Sequence, residues 1–285
     1  MHVEDTVVVG VEACRPDRGL LGWAAEEAVA RRARLTVCHV WEWNEPEHGP
    51  RSLLATVPAE PTPAERNVRA MACQVREWFP DLDVSVVFGP GRPARTLLRM
   101  SERAGLIVVG ARGRGGFPGL LLGSVPAQLA AHADCPVAVV RPPSTTAGSD
   151  VVAGVDGWPD SEPTARLALE EARRLGGRLI LVHGYRLPPP AEYGPDAGID
   201  EPHRRALAQD LVERAAKDLA ATADGVDVQA RAAHGAPTAV LLAAAADAAA
   251  LVVGTRGAGG FAGLALGSVS QQVLRHAPCT VVVAR

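Results

Sequence analysis

Lysine is almost missing from this 285-residue chain: Lys217 is the only one. It lies in KDLAA, a stretch that reads as helix, far from either glycine-rich segment. A phosphate loop of the form Gly, four residues, Gly-Lys-Ser/Thr is therefore absent, which argues against kinase or GTPase chemistry of that type. Arginine carries nearly all the positive charge, a bias best assigned to genome composition. An excess of basic charge is also lacking. The formal net charge is −3, so there is no basic stripe of the kind that nucleic acid requires. The five cysteines (Cys14, Cys38, Cys73, Cys135, Cys279) show no CxxC or Cys–His metal spacing, and an odd number of them suggests reduced thiols in a cytoplasmic setting. No long hydrophobic run exists. The best candidate, Thr238–Gly254, is mostly alanine and contains Asp247, too short and too broken to cross a bilayer. The amino terminus, MHVEDTVVVGVE, has acidic residues where a secretion signal would be basic. HExxH, GxSxG and HRD sequences are absent, and no nucleophile–base pair or metal site can be assigned.

What is present is a repeat. VVVGVE (7–12) returns as VVAGVD (151–156), a shift of 144. That shift also carries His39 onto His183, Gly91 onto Gly235 and Pro93 onto Pro237. VVGARGRGGFPGLLLGSV (108–125) falls on VVGTRGAGGFAGLALGSV (252–269). One ungapped offset along the whole unit indicates duplication. The expected division is a first domain over 1–142, a Pro/Ser/Thr/Gly-rich linker over 143–149 and a second domain over 150–285. Each half has the size of an ordinary domain and can bury its own core.

Within the first half, short β-rich runs near 6–11, 35–41, 82–88, 106–110 and 137–141 alternate with helical stretches near 17–33, 63–79, 92–104 and 124–133. Thr62-Pro63-Ala64-Glu65 supplies a capping box with proline at the first helical position. In the second half, Gly176-Gly177 should end the first helix. Alternating apolar strands and helices predict an α/β fold: a parallel sheet in each half with helices on both faces. The alanine-rich run 243–250 reads as a good helix former. The Pro-rich stretches 42–62 and 185–200 are expected to drape the surface.

The chemistry concentrates in a pattern present twice: Gly, two residues, Gly, nine residues, Gly-Ser. It comprises Gly110, Gly113, Gly123 and Ser124, then Gly254, Gly257, Gly267 and Ser268. Each copy follows an apolar strand and opens a helix. Glycine lets main-chain N–H groups approach an anion closely and permits positive φ. The following helix adds free N–H groups and the positive end of its dipole, with Ser124 or Ser268 expected as N-cap. In an open α/β sheet such a turn flanks a crevice at the strand ends where the winding reverses. The first strand ends there too, in Val11-Glu12 or Val155-Asp156. An acidic side chain at that point suits ribose hydroxyls or a phosphate-bound metal, or simply caps the next helix. Arg112 and Arg256 lie between the glycines and suit phosphate, or remain solvated loop charges. His39, His183, His132, His276, Cys135 and Cys279 read as structural.

This glycine pattern, preceded by a V-G-V-D strand end, resembles the signature of the ATP-binding branch of the universal stress proteins, over nearly the whole chain. The resemblance implies two tandem domains, each a five-stranded parallel sheet in order 3-2-1-4-5. It implies ATP as ligand, alone or with magnesium, with AMP or another adenine nucleotide left open. Adenine would be read by backbone at the end of the second strand, at Val40 and Gly184. The phosphates would lie against Gly110, Arg112, Gly113, Gly123, Ser124 and Val125, or against Gly254, Arg256, Gly257, Gly267, Ser268, Val269 and Ser270. It implies pairing through the last strands, Val137–Arg141 and Val281–Arg285, in a homodimer or within the chain. The expected role is a stress or regulatory factor, not a fast catalyst. A slow ATPase or nucleotide-using transferase, or a nucleotide-free association module, are the alternatives. The halves differ: Glu12 stands for Asp156 and Pro126 for Ser270. Tighter binding is expected in the second half.

Overall fold

The computed structural model describes residues 6–41, 61–113, 121–142, 148–186, 201–257 and 265–285. Most of both Pro-rich stretches and the middle of each glycine loop lie outside the described residues. The chain divides into two compact units, Met1–Val137 and Ala138–Arg285. The division falls at the start of the first repeat's last strand.

The first repeat runs β1 (Thr6–Gly10), α1 (Arg18–Ala30), β2 (Arg34–Trp41), α2 (Pro63–Trp78), β3 (Val84–Pro90), α3 (Pro93–Ser101), β4 (Leu106–Gly110), α4 (Ser124–His132) and β5 (Val137–Val140). The second repeats that order as β6 (Val151–Gly154), α5 (Glu162–Leu175), β7 (Leu179–Tyr185), α6 (Glu201–Ala220), β8 (Val228–His234), α7 (Pro237–Ala244), β9 (Ala250–Gly254), α8 (Ser268–His276) and β10 (Thr280–Ala284). Strand order is β3-β2-β1-β4-β5 in the first repeat and β8-β7-β6-β9-β10 in the second, the 3-2-1-4-5 arrangement. β1 pairs in parallel with β2 and β4, and β6 likewise with β7 and β9. Val7, Val9, Ile107, Val152, Leu251 and Val282 are completely buried. Apolar residues at consecutive strand positions fit a sheet covered on both faces.

Local signals act as the residues require. Thr62 caps α2, its hydroxyl accepting from the Glu65 N–H at 3.2 Å. Gly176 closes α5 in the left-handed conformation, φ 64°. The alanine run corrects the helix expectation: α7 stops at Ala244, and the chain turns to enter β9 at Ala250. Ala245, Ala248 and Ala250 are buried there, and Ala250 pairs with both Val151 and Thr280. Small side chains that fit a crowded turn override intrinsic helix preference.

The start of β6 is pinned electrostatically. The Asp150 carboxylate accepts from the Arg178 side chain and from its main-chain N–H at 3.1 Å. Hydrogen bonds from that guanidinium hold the Asp150 carboxyl below its ordinary range. A depressed carboxylate pKa stabilises the fold above the unfolded value of about 3.9, and that contribution fades as pH falls through the folded value. Arg178→Met should therefore move the midpoint of acid unfolding upward. The cost near neutral pH should be small, because the pair is screened by solvent.

Cysteine behaviour follows from burial. The Cys38 and Cys279 thiols are pushed up to about 11 by desolvation, and Cys135 is buried too, whereas Cys14 and Cys73 are exposed. Alkylation of the native protein near neutral pH should modify Cys14 and Cys73 alone, as peptide mapping would show, with the other three reacting after unfolding.

Candidate functional site

In the second unit, β6 and β9 lie side by side, while the chain leaves β6 for β7 on its other side. Their carboxyl ends thus bound the crevice expected where the winding reverses. A cavity of about 290 Å³ opens there. Gly154, Val155 and Asp156 line it from the end of β6, and His183 and Gly184 from β7. Gly254, Arg256 and Gly257 reach it from β9, and Gly267, Ser268, Val269 and Ser270 from the start of α8. All ten second-half candidates from the sequence therefore meet around one space. Asp156, Arg256, Gly257 and Ser268 are exposed at its mouth.

The glycines act through close approach, which corrects one expectation. Positive φ occurs at Gly91, Gly176, Gly225 and Gly235, but at none of the motif glycines. At Gly257, an added Cβ would overlap the Asp156 carboxylate. At Gly254 it would lie 3.1 Å from Thr164 Oγ1, and at Gly267 3.3 Å from the Thr255 carbonyl. The Gly267 N–H donates to that carbonyl at 2.7 Å, closing the base of the loop. Glycine at these three positions thereby leaves the main chain accessible there.

The cap is also different. Gly267 is the N-cap of α8, in extended conformation with no side-chain cap bond, and Ser268 is the first helical residue. Gly123 has the same position ahead of α4. With no side chain capping the helix, its first-turn N–H groups and dipole face the crevice. Ser270 does not present its hydroxyl proton to the cavity. It donates to the Gly254 carbonyl at 2.6 Å and so ties the end of β9 to α8. Pro126 is buried at the matching place in α4 and lacks a hydroxyl for that tie.

His183 is a brace, as is His39. Their Nδ1 atoms lie 2.7 Å from the Val155 carbonyl and 2.8 Å from the Val11 carbonyl. A carbonyl only accepts, so each Nδ1 carries the proton. Three polar residues of the cavity wall escaped sequence reading: Asp160, Ser161 and Thr164. Ser161 Oγ accepts from the N–H groups of Asp156 at 3.1 Å and Gly157 at 3.4 Å, fixing the turn that carries Asp156. The signal was available for Thr164, since the 144-residue shift sets it against apolar Leu20.

The first-half candidates gather at the ends of β1 and β4. The Glu12 carboxylate stands 2.6 Å from where a Cβ on Gly113 would be, the same approach that the Asp156 carboxylate makes to Gly257. The Gly123 N–H closes the loop base on the Ala111 carbonyl at 2.9 Å. Ser124 and Arg112 are exposed and Val125 is half-buried. Among the described residues, a Cβ on Gly110 would meet the Arg112 carbonyl and the Leu20 side chain, at 3.6 and 4.0 Å. Val40 occupies the place of Gly184, its Cγ1 3.4 Å from where a Cβ on Gly91 would stand. Arg112 and Arg256 have no ion-pair partner among the described residues.

Known proteins match this architecture. The family model for the universal stress proteins matches residues 4–141 and again 149–285. A universal stress protein of Mycolicibacterium smegmatis is 33% identical over 299 residues, covering 98% of this chain and 96% of its own. One from Mycobacterium tuberculosis is 29% identical over 289 residues, with the same coverage. Among solved structures, a universal stress protein from Archaeoglobus fulgidus shares the fold at TM-score 0.60 and 18% identity, covering 99% of this chain and 98% of that one. A Pseudomonas aeruginosa protein of unknown function does so at TM-score 0.67 and 18% identity, covering 99% and 92%. With both repeats matched by the family and relatives aligned from end to end, this chain belongs to the universal stress protein family, as a tandem two-domain member.

Proposed function

We propose that the chain is an adenine-nucleotide-binding stress or regulatory factor of the cytoplasm, with ATP as ligand and the second-half crevice as its principal site. The carrying observation is the convergence of a helix start with no side-chain cap, the glycines Gly254, Gly257 and Gly267 and the Asp156 carboxylate on one cavity. Main-chain amides and the helix dipole hold the phosphates. The wall formed by His183 and Gly184 takes the base, and Asp156 accepts from ribose hydroxyls. Magnesium, where bound, would come with the phosphates of the nucleotide, with the Asp156 carboxylate beside it.

The output is a nucleotide-dependent choice of shape or partner, including association through the last strands. ATP must then favour one state over another. The first-half crevice binds more weakly, because Glu12 carries an additional methylene where Asp156 stands, Val40 replaces Gly184 and Pro126 removes the Ser270 tie. Freshly purified protein, denatured and analysed by chromatography and mass spectrometry, should release an adenine nucleotide. Release of none, with no uptake of added ATP, would refute the reading. A time course of ADP release should show no sustained turnover.

A further inference from the structure

Thr164 is buried, with 5% of its surface exposed, yet it lines the crevice. It sits in the first turn of α5, where the Cα–Cβ bond leans toward the helix start. Here that direction points to the strand ends. Its Oγ1 stands 3.1 Å from the position that a Cβ on Gly254 would occupy, at the first glycine of the loop. Its neighbours use their hydroxyls internally: Ser161 accepts from two main-chain N–H groups and Ser270 donates to Gly254. The Thr164 hydroxyl makes no such bond to any described residue. The atom is not among the enclosed polar atoms left without a partner, so it opens to the crevice, where it is free to bond an incoming group. In the first repeat the same position is Leu20, also buried, so the fold itself does not require the oxygen.

We propose that Thr164 is a ligand-binding residue of this crevice, its hydroxyl donating to an oxygen of the sugar–phosphate portion of the bound nucleotide beside Gly254. The proposal rests on the nucleotide reading and adds a polar contact on the floor of the site, absent from the first repeat. A group that stabilises nothing until ligand arrives directs its whole contribution to the complex. Valine is the matched replacement, since it keeps the β-branched shape and loses only the hydroxyl.

The test compares the wild-type chain, T164V and T164S by calorimetric titration with ATP and by thermal unfolding with and without ATP. T164V should bind ATP about tenfold more weakly or worse, and its ATP-induced rise in Tm should shrink accordingly. Without nucleotide, T164V should unfold at the wild-type temperature or above it. T164S should bind like wild type. A structural hydroxyl would give the opposite pattern: T164V would lose stability in the empty protein and keep its affinity. That result, or equal affinity of T164V and wild type, would overturn the assignment while leaving nucleotide binding intact. A wild-type chain that takes up no ATP would overturn both.

Discussion

Gly257→Val should remove ATP binding from the second-half crevice while leaving the protein folded. The expected fall in affinity is at least about 100-fold, roughly 2.7 kcal/mol. The reason is positional. A Cβ at residue 257 would overlap Oδ2 of Asp156, so that carboxylate must swing away, and the branched side chain fills space meant for an anion. The fold should tolerate the change. Gly257 is exposed, its φ lies outside the left-handed region, and the displaced atom ends a side chain that can rotate. The cost to the fold should therefore be smaller than the loss of binding. Titration calorimetry together with circular-dichroism melting separates the two effects. Lost binding accompanied by a collapsed Tm would show that the glycine serves the fold instead. The matched Gly113→Val should change total ATP uptake little.

Gly184→Val, which copies Val40 of the first repeat, should weaken both stability and binding. A Cβ at 184 would stand 2.7 Å from Pro237 Cα. That neighbour is backbone at the start of α7, so relief requires the helix to shift. Forcing extra volume into such a contact costs about 1–3 kcal/mol. For a unit of this size, a drop of about 3–10 °C in Tm is expected. Pro237 and Leu241 also line the cavity, so the shift should carry into ATP affinity. An unchanged melting curve would contradict the packing argument. Unchanged affinity despite a lowered Tm would separate α7 from the ligand.

The parts legible in the sequence are those where one local rule agrees with the fold. Strands made of consecutive apolar residues, the Thr62 cap and the left-handed Gly176 are of that kind. So is the meeting of Val155-Asp156 with Gly254, Gly257, Gly267 and Ser268, because parallel connections bring the carboxyl ends of β6 and β9 to one crevice. Features decided by three-dimensional neighbours were not legible. The 243–250 run is helical by preference, but the turn into β9 buries its alanines. Ser268 looks like an N-cap, yet Gly267 takes that position and leaves the helix start open. Ser270 looks like a phosphate ligand, yet its proton goes to Gly254. Ser161, at the N-cap position, and Thr164, in the first turn, are ordinary residues of a helix start until Gly254 is set opposite Thr164.

The most direct measurement is a calorimetric titration of the intact chain with ATP, repeated for Asp156→Ala and Glu12→Ala. One strong site per chain is predicted, lost in Asp156→Ala and kept in Glu12→Ala. No binding by the wild-type chain, or two equal sites indifferent to Asp156, would contradict a crevice built from main-chain amides at the ends of β6 and β9.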